Sequence, residues 1–247
     1  MNVSLYQAAA AMDAQARWQE LIADNLAAGA VPGYRKLEAS FAEVAAASPV
    51  MVNNAASSRF YIPTVVASTS FQQGQLRPTG NSLDLALDGP GFFAVQLPNG
   101  ETAYTRNGEF QLNATGQLVT AQGSPVLSDA GPVQLDPNNP APITISADGQ
   151  ISQGAEIKGR LKVVTFANPN ALTPTANGYL LANGQLPAPA PPSTAVRQGF
   201  LEAANTSPTT EMSSLITAMR LFEANQKVIQ MQNDRMGQII SDLGGTD

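Results

Sequence analysis

Three pairs of carboxylates come closest to a catalytic pattern in this sequence. They are Asp84 with Asp88, Glu101 with Glu109, and Asp129 with Asp136. Two carboxylates that face one cleft can divide general acid and general base work between them. These acids lie close to Gly, Pro or Asn, and Asp favours turns because its side chain accepts hydrogen bonds from nearby backbone amides. We therefore interpret them as turn residues and expect no catalytic pair.

Other common catalytic side chains are missing from the chain. Its 247 residues include no Cys and no His. A Ser-His-Asp triad, a thiolate nucleophile and the usual zinc sites are therefore excluded. The aromatic side chains that a glycosidase cleft would need are few, with one Trp, five Tyr and nine Phe. We expect no enzyme activity, no cofactor and no metal.

The charge balance and the hydropathy pattern exclude two further classes of partner. Lys and Arg number 13 against 19 Asp and Glu, which gives a formal net charge of −6. A nucleic-acid binder needs several basic side chains on one face, so none is expected. No apolar run approaches the ~20 residues of a membrane span, so membrane insertion is not expected either. The first residues also lack the basic and apolar regions of a cleaved secretory signal, so any export would use another route.

Composition divides the chain into helical ends and a β-rich middle. Residues 3 to about 29 are rich in Ala and carry no Pro and no Gly before Gly29, while Gly237 is the only Gly between Pro208 and Leu243. Both stretches are therefore predicted helices. The middle interleaves Gly and Pro with short β-branched runs, which is typical of strands joined by tight turns. The predicted fold class is mixed α and β, with paired terminal helices and a central antiparallel all-β domain of short strands.

We divide the sequence into four segments. They are a helical domain of residues 1–32 with 205–247, a linker or extended segment over 33–75, the β domain over 76–185, and a Pro-rich return segment over 186–204. Within the linker, residues 45–58 are rich in Ala, Ser and Asn and are predicted to be pliable.

Both predicted helices carry an apolar stripe with heptad spacing. In the C-terminal helix the positions spaced by three and four are Met212, Leu215, Met219, Phe222, Gln226, Ile229, Asn233, Met236, Ile240 and Leu243. The same template in the N-terminal helix selects Leu5, Ala8, Met12, Gln15, Gln19, Ile22 and Leu26. Such a stripe predicts coiled-coil-like pairing of the two helices with each other or with neighbouring copies. An ordinary two-helix layer packed on a sheet remains an alternative.

Several segments of the sequence also resemble one protein family, the flagellar basal-body rod and hook proteins. The helix end Asn25-Leu26-Ala27 is followed by Pro32-Gly33, an aromatic residue and two basic residues, as in that family. The further matching segments are residues 81–93, 103–110, 116–120, 198–205 and 211–226. Together these motifs cover both termini and the middle of the chain.

The resemblance implies a structural subunit without catalysis. It implies that the terminal helices form the inner tube of an axial filament in the periplasmic rod, with the β domain as an outer layer. It also implies rod and hook subunits and further copies of this chain as partners, and export through the flagellar type III apparatus without a cleaved signal. The subunit-interface residues expected on this basis are Leu5, Met12, Ile22, Leu26, Met212, Leu215, Met219, Phe222, Ile229, Met236 and Ile240. The residues expected to shape turns are Asn25, Pro32, Gly33, Asp84, Gly89, Gly91, Asn107 and Gly108.

Within the family the sequence is most similar to the proximal rod protein. Hook subunits usually carry an additional β domain, for which 247 residues leave no room. The distal rod protein usually has a longer insertion between the Pro-Gly turn and the first β-domain motif, and it is the alternative. A different class, an exported adhesive or carbohydrate-binding β module, would need an exposed aromatic platform.

Overall fold

The computed structural model describes residues 3–46, 60–175 and 178–244. The chain forms two compact units. The helical unit contains the residues up to Ala27, Leu37–Thr69 and the residues from Ser207 onwards, and the β unit contains Ala28–Lys36 and Ser70–Thr206. The predicted fold class is confirmed in its main features, because one long helix lies at each end of the chain and the middle is an antiparallel β domain of short strands.

The helical unit has two helices and one hairpin. Helix α1 is Val3–Ala27, strand β1 is Leu37–Ala46, strand β2 is Phe60–Thr69, and helix α2 is Pro208–Gly244. Helix α1 contains neither Gly nor Pro, which allows 25 uninterrupted helical residues. Helix α2 begins at Pro208, where the missing backbone N–H of proline costs nothing because the first turn has no partner for it.

The hairpin replaces the first part of the predicted linker. Strands β1 and β2 pair antiparallel without a register shift, from Leu37 opposite Thr69 to Ala46 opposite Phe60. Within the predicted linker or extended segment over residues 33–75, most described residues are thus in paired strands, since β-branched residues such as Val65 and Val66 favour a strand and supply cross-strand partners. Most of the predicted pliable stretch at 45–58 lies outside the described residues.

The β unit is a succession of short strands. In chain order they are β3 Leu76–Pro78, β4 Leu85–Asp88, β5 Phe92–Gln96, β6 Thr102–Thr105, β7 Phe110–Leu112, β8 Leu118–Thr120, β9 Leu127–Ser128, β10 Gly131–Pro132, β11 Ile143–Ile145, β12 Gln150–Gln153, β13 Glu156–Arg160, β14 Val163–Thr165, β15 Thr173–Pro174, β16 Leu180–Leu181, β17 Ala188–Pro189, β18 Ala195–Gln198 and β19 Phe200–Glu202. The largest sheet has six strands in the order β15-β16-β6-β5-β14-β17, and β11-β12-β13 form a three-stranded sheet.

Strand β5 separates two apolar clusters. Phe93 and Val95 are fully buried in the larger cluster, while Phe92 and Ala94 belong to the second cluster, beside Tyr104. Successive side chains of a strand point to opposite faces, so one strand fills both clusters. The central sheet is therefore covered on both of its faces.

The Pro-rich return segment is part of the β unit rather than a free connection. Strand β17 pairs with β14, β18 pairs with β4, and β19 pairs with β3. The end of the β unit thus returns to the strands at its beginning.

Candidate assembly interface

Helix α2 turns a heptad face towards helix α1. Its buried and half-buried positions include a run spaced alternately by four and three residues, namely Glu211, Leu215, Ala218, Phe222, Asn225, Ile229 and Gln232. The two helices pack against each other. Between them, the side-chain amide of Asn225 donates to the amide oxygen of Gln15 at 3.1 Å. Ala218 is fully buried, and its small side chain allows the helices to approach closely.

This face differs by one residue from the predicted stripe at alternate positions. Leu215, Phe222 and Ile229 lie on it, as the heptad places them, and each is half-buried. Met219 and Met236 lie beside it and are 51% and 46% exposed. Ala218 occupies the inward position next to Met219 because a small side chain fits the narrow space between two close helices. Met212 is likewise exposed, and the side chain of Ile240 lies outside the described residues.

Apolar side chains flank the packed face of α2 on both sides. Met212, Ile216 and Met219 follow one flank at spacings of four and three residues, and all three are exposed. On the other flank, the exposed residues Leu221 and Val228 lie two turns apart. A helix that carries apolar side chains around most of its circumference is typical of helices buried on several sides.

Helix α1 packs on the hairpin as well as on α2. Ile22 and Ala14 are buried, whereas Met12 and Leu26 are half-buried, and the side chain of Leu5 lies outside the described residues. The indole of Trp18 contacts the ring of Phe41 edge to face, with 5.6 Å between the ring centroids. Phe41 remains 55% exposed, so the hairpin also presents apolar surface to solvent.

Asn25 joins the end of α1 to the start of β1. Its side-chain amide donates to the carbonyl oxygen of Leu37, and its side-chain oxygen accepts from the Leu37 N–H, both at 2.8 Å. The side chain therefore replaces a backbone partner for this peptide group, and it is almost completely buried. The turn that follows contains Pro32, which is half-buried, and Gly33, whose φ of 69° favours glycine.

The remaining predicted turn residues hold the backbone of the β unit. The buried Asp84 accepts a hydrogen bond from Asn81, and Asn107 accepts one from the Glu109 N–H, both at 2.9 Å. Gly89 and Gly91 have φ values of 118° and 148°. At Gly108 a Cβ atom would lie 1.7 Å from the carbonyl oxygen of Leu85. These positions are explained by backbone geometry and need no ligand.

A buried cluster of charges in the β unit was not predicted from the sequence. Arg35, Arg106 and Glu202 form this Arg–Glu–Arg cluster, with 2.8 Å from Arg35 Nη2 to Glu202 Oε1 and 3.2 Å from Arg106 Nη1 to Glu202 Oε2. Their side chains are 6%, 5% and 0% exposed. Each is a charged residue inside one of the segments that resemble the family, and that position was the available signal.

Burial determines the electrostatics of the cluster. It lowers the pKa of Arg106 to about 10, an effect that Glu202 opposes and Arg35 reinforces. Burial also lowers the pKa of Arg35, again against the attraction of Glu202. Both guanidinium groups are protonated at neutral pH, so two positive charges share one carboxylate. The carbonyl oxygens of Gln72 and Gly89 accept further hydrogen bonds from Arg35 and Arg106 respectively.

The described residues contain no arrangement that suggests chemistry of another kind. Within residues 3–46, 60–175 and 178–244, no three acidic side chains come together as a metal site would require. Neither helix, in its described part, combines the length and apolar character that a membrane span needs. A cleft of about 640 Å³ in the β unit is lined by prolines, small side chains and the charged residues Asp129, Asp148 and Arg160, without an aromatic residue.

Comparison with known proteins adds the family. The family model described as the flagellar hook protein FlgE/F/G D1 domain matches residues 86–153, and the model described as the flagellar basal body rod FlgEFG protein C-terminal matches residues 197–242. A flagellar basal-body rod protein FlgF from Mesorhizobium japonicum is 32% identical over 247 residues, which cover 99% of each chain. The chain belongs to the flagellar basal-body rod protein family.

Other relatives in this family carry two names. A FlgF rod protein from Escherichia coli is 34% identical over 257 residues, with 96% of each chain covered. A FlgG rod protein from Borreliella burgdorferi is 31% identical over 260 residues, covering 96% of this chain and 97% of the relative. The first of the two family matches lies in the β unit, and the second includes most of α2.

Proposed function

We propose that this rod-family chain is a structural subunit of the flagellar basal-body rod that assembles with other axial subunits, including copies of itself, through α1 and α2. The observation that carries the proposal is the apolar surface that α2 keeps exposed on both flanks after it has packed on α1. Apolar side chains in such a continuous arrangement mark a protein–protein interface. The role is structural, since rods carry load rather than perform chemistry.

The arrangement of α2 supports several neighbours rather than one. Its packed face is used by α1, and the two exposed flanks point in different directions around the helix axis. A third stripe, at seven-residue spacing, is polar and consists of Ser213, Arg220, Lys227 and Asp234, all exposed. Two apolar flanks and one polar stripe suit a helix with neighbours on both sides and water along one edge.

We propose coiled-coil-like pairing of α1 with α2 as the basis for torque transmission between motor and hook. The heptad spacing of the packed face supports this pairing. The hydrogen bond between Asn225 and Gln15 supports a fixed register, because a polar pair among apolar neighbours penalises sliding of one helix along the other. The packed face between the two helices is largely apolar, which is typical of the interfaces of permanent assemblies.

The length of the segment before the β unit supports a proximal position in the rod. Only residues 35 to about 73 fill the gap between the Pro-Gly turn and the first β-domain motif, and the described part of that segment is dominated by a single hairpin. A distal rod subunit is the alternative within the family.

Export through the flagellar apparatus without a cleaved signal belongs to the same proposal. Mass spectrometry of the assembled subunit tests it, and we expect the N-terminal residues to be retained.

The experiment that tests assembly replaces Met219 with Lys in a strain whose chain carries an epitope in the loop near Asn138. Because Met219 is 51% exposed, we expect the purified monomer to unfold as the native chain does. We expect the variant to be missing from purified basal bodies, and motility to be lost. The matched control is Ser213→Lys on the polar stripe, which should be incorporated normally. Normal incorporation of the Met219→Lys chain would contradict the proposed interface.

A further inference from the structure

The three members of the Arg–Glu–Arg cluster come from distant parts of the chain. Arg35 lies in the turn before the hairpin, Arg106 follows strand β6, and Glu202 ends strand β19. Arg106 and Glu202 are 96 positions apart. The cluster is therefore complete only when the last strand of the β unit has joined the first segments.

The first strands of the β unit depend on the last ones for their ladder partners, although the Leu85 N–H of β4 also donates to the carbonyl oxygen of Gly108 at 3.0 Å. Strand β3 pairs with β19, with Leu76 opposite Glu202, and β4 pairs with β18 over all four of its residues. Among the described residues, neither β3 nor β4 belongs to a ladder with any other strand. Until residues 195–202 are in place, these two strands have unpaired backbone groups that must remain in water.

Backbone segments around the cluster are stacked without room for side chains. A Cβ atom at Gly33 would lie 2.3 Å from the carbonyl carbon of Arg106, and one at Gly74 would lie 2.0 Å from the carbonyl oxygen of Ala203. The Gly33 N–H also donates to the carbonyl oxygen of Glu202 at 2.7 Å. The N-terminal turn, the segment before β3 and the C-terminal strand are thus held directly against one another.

Asn205 makes three further hydrogen bonds to backbone segments that meet near the cluster. Its side-chain oxygen accepts from the Lys36 N–H at 2.6 Å, and its amide donates to the carbonyl oxygens of Ser70 and Gln72, both at 2.9 Å. The chain passes between the two units after Ala27, Lys36, Thr69 and Thr206. Three of these four points are adjacent to residues that Asn205 joins or to Asn205 itself.

The charge balance makes Glu202 the decisive member of the cluster. With Glu202 in place, two guanidinium groups share one carboxylate and several carbonyl oxygens. Without it, two like charges are buried with no counter-charge, which is strongly unfavourable. Loss of Arg35 alone would leave one guanidinium group, that of Arg106, paired with the Glu202 carboxylate, so the remaining charges would be balanced.

We propose that the Arg–Glu–Arg cluster is a completion latch. The β unit completes its fold only when the C-terminal return strands have paired and placed Glu202 between Arg35 and Arg106. Before β18 and β19 have paired, strands β3 and β4 lack their ladder partners. The segments that lead to α1 and α2 are then not yet held together. This inference concerns the order of closure and does not depend on the role in the rod.

Pulsed hydrogen–deuterium exchange during refolding of the full chain from urea tests the order. We expect the amides of β3 and β4 to become protected in the same phase as those of β18 and β19, and after those of β5 to β8. Protection of β3 and β4 in an earlier phase than β18 and β19 would overturn the latch.

Native-state exchange of full-length variants tests the charge argument. We expect Glu202→Gln to accelerate exchange at Gly33, β3, β4, β18 and β19 together, by at least about 100-fold. Arg35→Gln should accelerate the same amides by no more than about tenfold, since a balanced pair remains. The matched control is Asp88→Asn, which removes the exposed 3.0 Å ion pair with Arg197 between the same two strands, β4 and β18. It should leave exchange within about twofold.

Two results would overturn the proposal here. One is acceleration by Glu202→Gln that is confined to β19, and the other is an equal effect of Arg35→Gln. If Glu202→Gln does not fold, the triple variant Arg35→Met, Arg106→Met, Glu202→Met decides, because it removes all three charges and retains apolar volume. Recovery of concerted protection in the triple variant supports the latch, and its absence contradicts it.

Discussion

The helical unit and the β unit of this chain treat their apolar side chains in opposite ways. Eleven of the fourteen large apolar side chains that are exposed belong to the helical unit, among them Phe41, Ile216 and Met219. In the described part of that unit, only Ala14, Ile22 and Ala218 are buried apolar residues, and two of these are alanines. The β unit buries its large apolar residues in two clusters around strand β5.

The β unit buries its large apolar side chains within itself, whereas the helical unit leaves many of its own exposed. The β unit has a closed core, antiparallel ladders and a buried ionic junction that joins its two ends. The described part of the helical unit has regular backbone structure but leaves many of its large apolar side chains exposed, and the proposed assembly would bury them. Four predictions, in order of decreasing expected effect and each with its own control, test this contrast.

The largest effect is expected in the core of the β unit, from Phe93→Ala. Phe93 is fully buried and contacts the ring of Phe110 edge to face, with 5.3 Å between the ring centroids. Removing a buried aromatic ring typically lowers the free energy of unfolding by about 3–5 kcal/mol. Urea unfolding followed by near-UV circular dichroism should show this loss.

The matched substitution in the helical unit is Met219→Ala. Its exposed side chain has few contacts to lose in the monomer, so the free energy of unfolding should change by less than about 0.5 kcal/mol. A loss from Met219→Ala comparable to that from Phe93→Ala would break the contrast between the units.

The second prediction concerns backbone packing at Gly108. A Cβ atom there would overlap the carbonyl oxygen of Leu85, which belongs to β4. We expect Gly108→Ala to lower the free energy of unfolding by about 1–3 kcal/mol, because the strand must shift to make room. Thermal unfolding measures this. The control is Gly237→Ala in α2, where the added methyl group meets no atom within 4 Å. A destabilised control with an unaffected Gly108→Ala chain would reverse the comparison.

The third prediction concerns the buried amide at the end of α1. Asn25→Ala removes both hydrogen bonds to the Leu37 peptide group and leaves its N–H and carbonyl without these partners. We expect the free energy of local opening to fall by about 1–3 kcal/mol, with faster amide exchange at Leu37 and along the first residues of β1. Exchange in β5 should not change, since it lies in the other unit. Faster exchange in both units to the same extent would show that they open together.

Sequence reasoning succeeded where structure is determined by nearby residues. The two helices follow from Ala-rich or periodic stretches without proline, and glycines such as Gly33 and Gly89 coincide with backbone conformations that other residues rarely adopt. Asn25 belonged to a motif that pointed to this turn, although its pairing with Leu37 could not be deduced from spacing.

Burial and pairing that depend on residues distant in the sequence could not be predicted from it. The pairing of Arg35 with Glu202 could not be predicted, because nothing in the nearby sequence marks either side chain as buried. In α2, Ala218 and Met219 are equally compatible with a heptad, and the close approach of α1 selects the smaller one. Hairpin pairing likewise required strand β2 to be known before β1 had a partner.

The fourth prediction is a small gain in helix stability, from the same Gly237→Ala substitution in the full chain. Gly237 lies in the C-terminal part of α2, where the described side chains are exposed, and glycine is less favourable than alanine in a helix by about 1 kcal/mol. We expect more far-UV helical signal and slower amide exchange near residue 237 in the monomer, because this part of α2 is stabilised by its own backbone rather than by packing. The unfolding midpoint of the β unit should stay unchanged. If the midpoint rises together with the helical signal, the two units unfold as one, and the exposed helix is supported by the β unit instead of awaiting a partner.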